Sequence, residues 1–406
     1  MPAIPRISRI VIRDYRSIGA CDLRPHALTW LVGRNGSGKS NLLDALKFVK
    51  DALDGPLENA LNERGGIKQV RRQSSGHPRH FTIRLELVLA DGRTALYAFE
   101  IGAAEGGGYT VKHEHCQIGR HRKGPSFTMQ ADGRIVSSEP AFPAVTRGRL
   151  ALAAASGIAD FAPVFAHLTS MGFYNLNPES MSALQSPQDG RLLKPLGENI
   201  ASVVGHLETH EKASLERILT YLETVVPGIV GVEREQTGHM ETILFKQTIA
   251  GAKHPWSFPA HSMSDGTLRA LGILVALFQG ERDGRPSLVC IEEPESALHP
   301  AASAAVREAL LHASRTTQIF VTSHSPDLLD DRSIDADSLL AVGAEGGETF
   351  IAPIDHAARE VLKDALFTPG ELLRLEQLYP DAVLVEARRA ARQSPTECSR
   401  PAASTD

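Results

Sequence analysis

Gly33-Arg34-Asn35-Gly36-Ser37-Gly38-Lys39-Ser40 is the stretch on which the fold turns. It satisfies the pattern G-x-x-x-x-G-K-S in full. Its glycines let backbone N–H groups curl around phosphates with no Cβ in the way. Before it, residues 27–32 (Ala-Leu-Thr-Trp-Leu-Val) form an apolar run that predicts a buried strand. After it, Leu42, Leu43, Leu46 and Val49 recur at helical spacing and predict a helix over 39–53. Such a helix turns the positive end of its dipole toward the same anion. In that context Lys39 reaches the β- and γ-phosphates of a nucleotide, and the Ser40 hydroxyl ligates Mg²⁺. The order strand, loop, helix predicts an α/β P-loop NTPase fold. It names a nucleotide and not a task, because kinases, GTPases, helicases and transporters share the loop.

Three further segments narrow the task. Leu288-Val289-Cys290-Ile291 runs directly into Glu292-Glu293. A buried strand ending in acids sets carboxylates at the C-terminal edge of a parallel sheet, where ligands bind in open α/β folds. There Glu292 serves Mg²⁺ and Glu293 polarises the attacking water. Ser264-Asp265-Gly266-Thr267 opens an apolar helix over 264–279. Ser264 is a natural N-cap, and the free amides at Gly266 and Thr267 suit an anion. Ile319-Phe320-Val321-Thr322-Ser323-His324 is a strand ending in a histidine. A crossover helix over 301–313 predicts that this strand lies parallel to the acidic one. His324 then has a γ-phosphate within donor range.

The chain has 406 residues, 42% apolar and 22% charged, which is ordinary soluble globular composition with material for a large core. A net charge of −5 excludes a strongly basic nucleic-acid binder, though a local basic face can still act. Cys21, Cys116, Cys290 and Cys398 are far apart, without metal-ligand spacing, which predicts reduced thiols and a cytoplasmic protein. The first residues lack an apolar signal core, and the apolar run 271–278 is too short to span a bilayer.

Residues 7–14 read as an opening β-strand, 81–89 alternates with period two, and 81–89, 94–102, 109–118 and 126–136 are read together as an antiparallel meander. Residues 150–170 and 200–226 read as helical, 229–245 as strand, and 336–355 as two terminal strands. The resulting division is 1–104 as the first part of an ATPase head, 105–260 as a mixed α/β insert with a helical lid, 261–386 as the second part of the head, and 387–406 as a disordered tail rich in Arg, Ser and Pro.

Taken in order, the four motifs resemble the ABC ATPase superfamily, in its non-transporter branch of RecF, the SMC heads and the OLD-type ATPases. Three stretches carry the resemblance. They are Ile12 to Ile18 with the loop and Asn41-Leu42-Leu43-Asp44-Ala45-Leu46, then Ile291-Glu292-Glu293-Pro294-Glu295 with Leu298-His299-Pro300, then Thr322 to Pro326. Phe367-Thr368-Pro369-Gly370-Glu371-Leu372-Leu373 also looks like the predicted AAA-type ATPases of that branch.

The resemblance implies an ABC ATPase head with a mixed sheet core, an antiparallel β subdomain and a helical insert. It implies ATP and Mg²⁺, a nucleotide cradle of Gly33 to Ser40 with Asn41, and a signature at Ser264, Asp265 and Gly266 that binds ATP held by the opposite subunit. Asp265 stands where the signature usually has its first glycine, and Glu292 where Asp is commoner. A metal-touching glutamine is expected, with Gln73 and Gln69 as candidates, and Tyr15 and Arg16 flank the nucleotide or form a surface turn.

ATP would then close a homodimer, and hydrolysis through Glu293, His324 and Lys39 would release it. Only 82 residues follow His324, too few for the fused TOPRIM nuclease of OLD proteins, so an effector such as a nuclease is expected to be encoded separately. No CxxC hook or long heptad run lies between loop and signature, which removes a coiled-coil arm. Two readings stay open. One is an ATP-driven switch in DNA maintenance or phage defence, touching DNA through Arg71, Arg72, Arg79, Arg120, Arg122, Lys123, Arg147 and Arg149. The other is the ATPase subunit of a transport or other protein-only assembly.

Overall fold

The computed structural model describes residues 4–73, 78–105, 107–119, 124–146, 148–280 and 284–391. Its strands are β1 (Arg6–Tyr15), β2 (Ile18–Leu23), β3 (Leu28–Val32), β4 (His80–Val88), β5 (Thr94–Ala103), β6 (Tyr109–Ile118), β7 (Ser126–Gln130), β8 (Ile135–Ser137), β9 (Gly172–Tyr174), β10 (Ile229–Thr237), β11 (Met240–Gln247), β12 (Trp256–Pro259), β13 (Leu288–Glu292), β14 (Gln318–Ser323), β15 (Leu339–Glu345) and β16 (Glu348–Pro353). Thirteen form one sheet in the order β8-β7-β6-β5-β4-β1-β2-β16-β15-β3-β14-β13-β9, and β10-β11-β12 form a second.

The two textures of apolar sequence map onto two parts of the large sheet. β3, β13 and β14 pair in parallel with their sheet neighbours β15 and β9. All five residues of β3 are buried. Leu31, Leu288, Cys290, Phe320 and Leu340 enter one core, while Trp30, Val32, Val289, Ile291, Ile319 and Val321 enter the other. A strand buried on both faces reads as an unbroken apolar run. From β1 outward the pairing is antiparallel, and Phe81, Ile83, Leu85 and Leu87 line one face only. On the other face Thr82 and Arg84 are polar yet buried, so the alternation is one of apolar against polar and not of buried against solvated.

One core is filled by the helix Lys39–Asp54, whose Leu42, Leu43, Leu46 and Val49 are buried as their spacing requires. The other is filled by the helices Ile200–His210, Lys212–Val225, Asp265–Phe278 and Ser303–Ala313. The last of these is the crossover between β13 and β14, which are parallel and in register from Leu288↔Gln318 to Glu292↔Thr322.

The expected meander is present as β4 to β8, with 126–136 split into two strands at the turn around Gly133. Strands β6, β7, β8 and β9 all join the large sheet, so the segment 105–260 contributes to both sheets. Of the tail expected from Ala387, residues 387–391 belong to a helix, Ala382–Ala391. Arg388 Nη1 donates to the Ile351 carbonyl at 2.7 Å, and Arg389 lies 4.7 Å over the Phe350 ring, which anchors that helix to β16. Residues 392–406 lie outside the described residues, as do Arg120, Arg122, Lys123 and Arg147. Among the described residues no single helix is long and apolar enough to cross a membrane.

Candidate functional site

The loop between β3 and the helix Lys39–Asp54 is held by close approach on its outer side. Gly38 has φ +97°, and a Cβ there would stand 2.2 Å from Thr349 Oγ1. A Cβ on Gly33 would stand 2.3 Å from the Val342 carbonyl oxygen. Gly36, at φ +77°, faces open space. A chain of hydroxyls fixes the rest. Asn41 Nδ2 donates to Ser17 Oγ at 2.5 Å, Ser17 meets Thr349 Oγ1 at 2.7 Å, and Thr349 donates to the Ser37 carbonyl at 3.0 Å. Ser37 Oγ is buried with no hydrogen-bond partner, an orphan of the kind a bound phosphate oxygen satisfies. Arg34 and Asn35 are exposed, and Arg34 pairs with Glu376.

Lys39 is buried, and its Nζ donates to the carbonyls of Gly33 at 2.8 Å and Arg34 at 3.1 Å. Burial lowers its pKa, opposed by the carboxylates of Glu293 and Glu295. The ammonium thus lies within the field of both acids.

Ser40 Oγ donates to Glu292 Oε2 at 2.6 Å. The end of β13 therefore meets the start of the loop helix, as the acidic strand predicted. A hydroxyl and a carboxylate oxygen are the hard donors Mg²⁺ takes alongside phosphates and water, so the pair fits that ion. Among the described residues no group of three or more His, Cys, Asp or Glu is placed to hold a metal by itself.

Glu293 follows in the left-handed region at φ 44°, a strained backbone for a non-glycine residue. Its N–H donates to the Thr322 carbonyl at 3.0 Å and to Thr322 Oγ1 at 3.2 Å. That anchor ties the strained turn to β14. His324 Nδ1 then stands 3.3 Å from Glu293 Oε1 and 3.6 Å from Glu295 Oε1. Lys39, Ser40, Glu292, Glu293 and His324 are thus gathered from three adjacent strand ends.

The helix Asp265–Phe278 starts as its sequence predicts, with Ser264 Oγ accepting from Thr267 N at 3.3 Å. Ser264 and Asp265 are exposed. Gly266 packs so closely that a Cβ would stand 2.5 Å from the Ala297 carbonyl oxygen, four residues beyond Glu293. Burial lowers the pKa of Arg269 on this helix, and Glu293 and Glu295 raise it.

Three expectations change. Tyr15 is fully buried, donates to Asp44 Oδ2 at 2.7 Å and packs edge-on against Phe81, so it is a core residue and not a nucleotide platform. Its neighbour Arg16 pairs with the same Asp44 at 2.5 Å. Gln73 is exposed, and its amide donates to Gln69 Oε1 at 3.0 Å and the Lys68 carbonyl at 3.4 Å, rather than to the Ser40–Glu292 pair. Arg71 and Arg72 are not free surface cations: Arg71 donates to the Pro78 carbonyl at 2.6 Å, and Arg72, 8% exposed, pairs with Glu348 at 2.9 Å. Arg79 and Arg149 are exposed.

Sequence reading missed the contacts of Ser17, Thr349 and Glu295. The first two are ordinary polar residues whose partners lie 332 positions apart, so no local pattern marks them.

The family described as "AAA domain, putative AbiEii toxin, Type IV TA system" matches residues 28–135 and 234–330, half of the chain. The DNA replication and repair protein RecF of Mannheimia succiniciproducens is 46% identical over 44 residues, which is 11% of this chain and only 12% of RecF. Among solved structures, an SMC head bound to the C-terminal winged-helix domain of ScpA superposes with a TM-score of 0.56 at 11% identity, covering 87% of this chain and 99% of that one. An SMC head with an extended coiled coil, bound to the C-terminal domain of ScpA from Pyrococcus furiosus, gives 0.54 at 12% identity, covering 89% and 100%. At such identities the likeness speaks for the fold alone. The chain belongs to this AAA-domain family, and its fold is that of a RecF- and SMC-like ABC-type P-loop ATPase.

Proposed function

We propose that the protein hydrolyses ATP to ADP and phosphate between two copies of itself, as a switch in DNA maintenance or phage defence that works through a separate effector. The observation that carries the reading is the gathering of Lys39, Ser40–Glu292, Glu293 and His324 at neighbouring strand ends.

In this reading the amides of 33–40 and Asn41 cradle the phosphates of ATP, and Lys39 turns from the loop carbonyls to the β- and γ-phosphates. Ser40 and Glu292 would hold Mg²⁺, which when bound neutralises phosphate charge. Glu293 takes a proton from the attacking water as the new P–O bond forms at the γ-phosphorus and the bond to the bridging oxygen breaks. His324 orients that water and donates to a γ-phosphate oxygen. Ser264 and Asp265 are exposed at a helix start beside Gly266, which suits a γ-phosphate presented by a second copy. Gln73 enters as a metal contact only if its segment moves on nucleotide binding.

The DNA side of the proposal draws on the name of the RecF relative, on the toxin named in the family description, and on exposed Arg79 and Arg149. Two experiments test the parts separately. Glu293→Gln should slow steady-state turnover about 100-fold or more while ATP still binds; unchanged turnover refutes the base assignment. Duplex binding with ATP present should weaken steeply as salt rises. No binding at low salt removes DNA and leaves the protein-only assembly.

A further inference from the structure

Glu295 is the one carboxylate of this neighbourhood to which the mechanism above gives no task. Its side chain is only 8% exposed. A charge so placed is costly unless it is hydrogen-bonded. Its Oε1 accepts from Ser323 Oγ at 2.8 Å, His324 N at 3.0 Å and Ser325 N at 3.1 Å. Its Oε2 is buried and takes no hydrogen bond. All three donors thus converge on one oxygen, and they are consecutive residues centred on His324.

The geometry points to Glu295 as a positioning residue for His324, fixing where the imidazole stands relative to Glu293. Glu295 leaves the β13 turn two residues after Glu293, while residues 323–325 leave β14. The strands themselves stay in register only to Glu292↔Thr322. Beyond that pair the Glu293 N–H bonds to Thr322 and the Glu295 carboxylate bonds to 323–325 hold the two exits together. The 3.3 Å approach of His324 Nδ1 to Glu293 lies between those two anchors. Lys39 and Arg269 both lie in the field of Glu295, which offsets the charge its uncapped oxygen carries. This inference rests on the proposed hydrolytic role of Glu293 and His324.

The test is a double-variant cycle on the full chain, read as kcat and KM for ATP with Mg²⁺. Glu295→Ala should lower kcat about 10- to 100-fold, the scale of a misplaced catalytic group, with KM changed less than about threefold. Glu295→Gln keeps an acceptor oxygen for the three donors and should stay within about threefold of the parent. Glu295→Ala combined with His324→Ala should be no slower than His324→Ala alone, within about twofold, because the clamp has nothing left to position. The glutamine variant guards against a folding defect, since it preserves the buried shape. Slow His324→Ala with losses that multiply in the double variant overturns the positioning role and leaves the hydrolytic reading intact. A glutamine variant as slow as the alanine variant, or an effect on KM alone, also overturns it. Normal turnover by His324→Ala sinks both.

Discussion

Replacing Gly38 and Gly36 by alanine, one at a time, separates backbone strain from steric closure in the phosphate loop. Both glycines have positive φ, at +97° and +77°. An L-residue there costs about 1–2 kcal/mol from its Cβ alone. Gly36→Ala meets nothing within 4 Å and should lose about that much. Gly38→Ala drives a methyl to 2.2 Å from Thr349 Oγ1 and 2.9 Å from its Cγ2. Thr349 cannot yield freely, because its hydroxyl bonds both Ser17 and the Ser37 carbonyl. Overpacking of this kind adds about 1–3 kcal/mol. Urea unfolding without nucleotide should therefore place Gly38→Ala about 1–3 kcal/mol below Gly36→Ala. Adding Thr349→Ala to Gly38→Ala should recover part of the gap, although the hydroxyl bonds are lost with it. Equal losses in the two single variants would refute the claim that β16 seats the loop.

Lys39→Ala should abolish ATP binding in a calorimetric titration, since no other buried cation faces the loop carbonyls among the described residues; a normal isotherm would count against the loop assignment. Two buried groups set opposing pH dependences of stability. Burial pushes the Glu114 carboxyl up to about 7 although Ala151 N, Leu152 N and Tyr97 Oη donate to it, so the folded protein holds a proton that the unfolded chain releases near 4.5. Stability from this group is full below pH 4.5 and falls as pH rises toward 7, by at most about 1.4 kcal/mol per unit. Burial holds His167 down at about 4, against an ordinary 6.5, so its term is full above 6.5 and falls as pH drops toward 4. Glu114→Gln should remove the first slope and leave a protein whose thermal midpoint drops on acidification more steeply than the parent's; parallel pH profiles would refute this.

Legibility in the sequence followed the range of the interaction. The loop, the acidic strand end and the Ser264 cap each lie within about ten residues, and their chemistry is readable because spacing alone sets the geometry. The parallel strands were readable because burial on both faces leaves an unbroken apolar run. Strand β9 is three residues long and owes its existence to pairing with β13, which no local pattern announces. β2 carries Gly19 and Ala20 and joins the sheet between β1 and β16, so tertiary pairing decides it. Tyr15 next to Arg16 invited a nucleotide role, yet Asp44 on the first helix claims both side chains. Arg72 looked like a surface cation until Glu348, 276 positions away, met it inside the fold.

Sedimentation velocity of Glu293→Gln with Mg²⁺, over a range of ATP concentrations, tests most directly whether ATP is bound between two copies. The account predicts a monomer without nucleotide, a dimer as ATP saturates the loop, and a monomer throughout when Lys39→Ala is added. A Glu293→Gln protein that binds ATP yet sediments as a monomer at every concentration would contradict it.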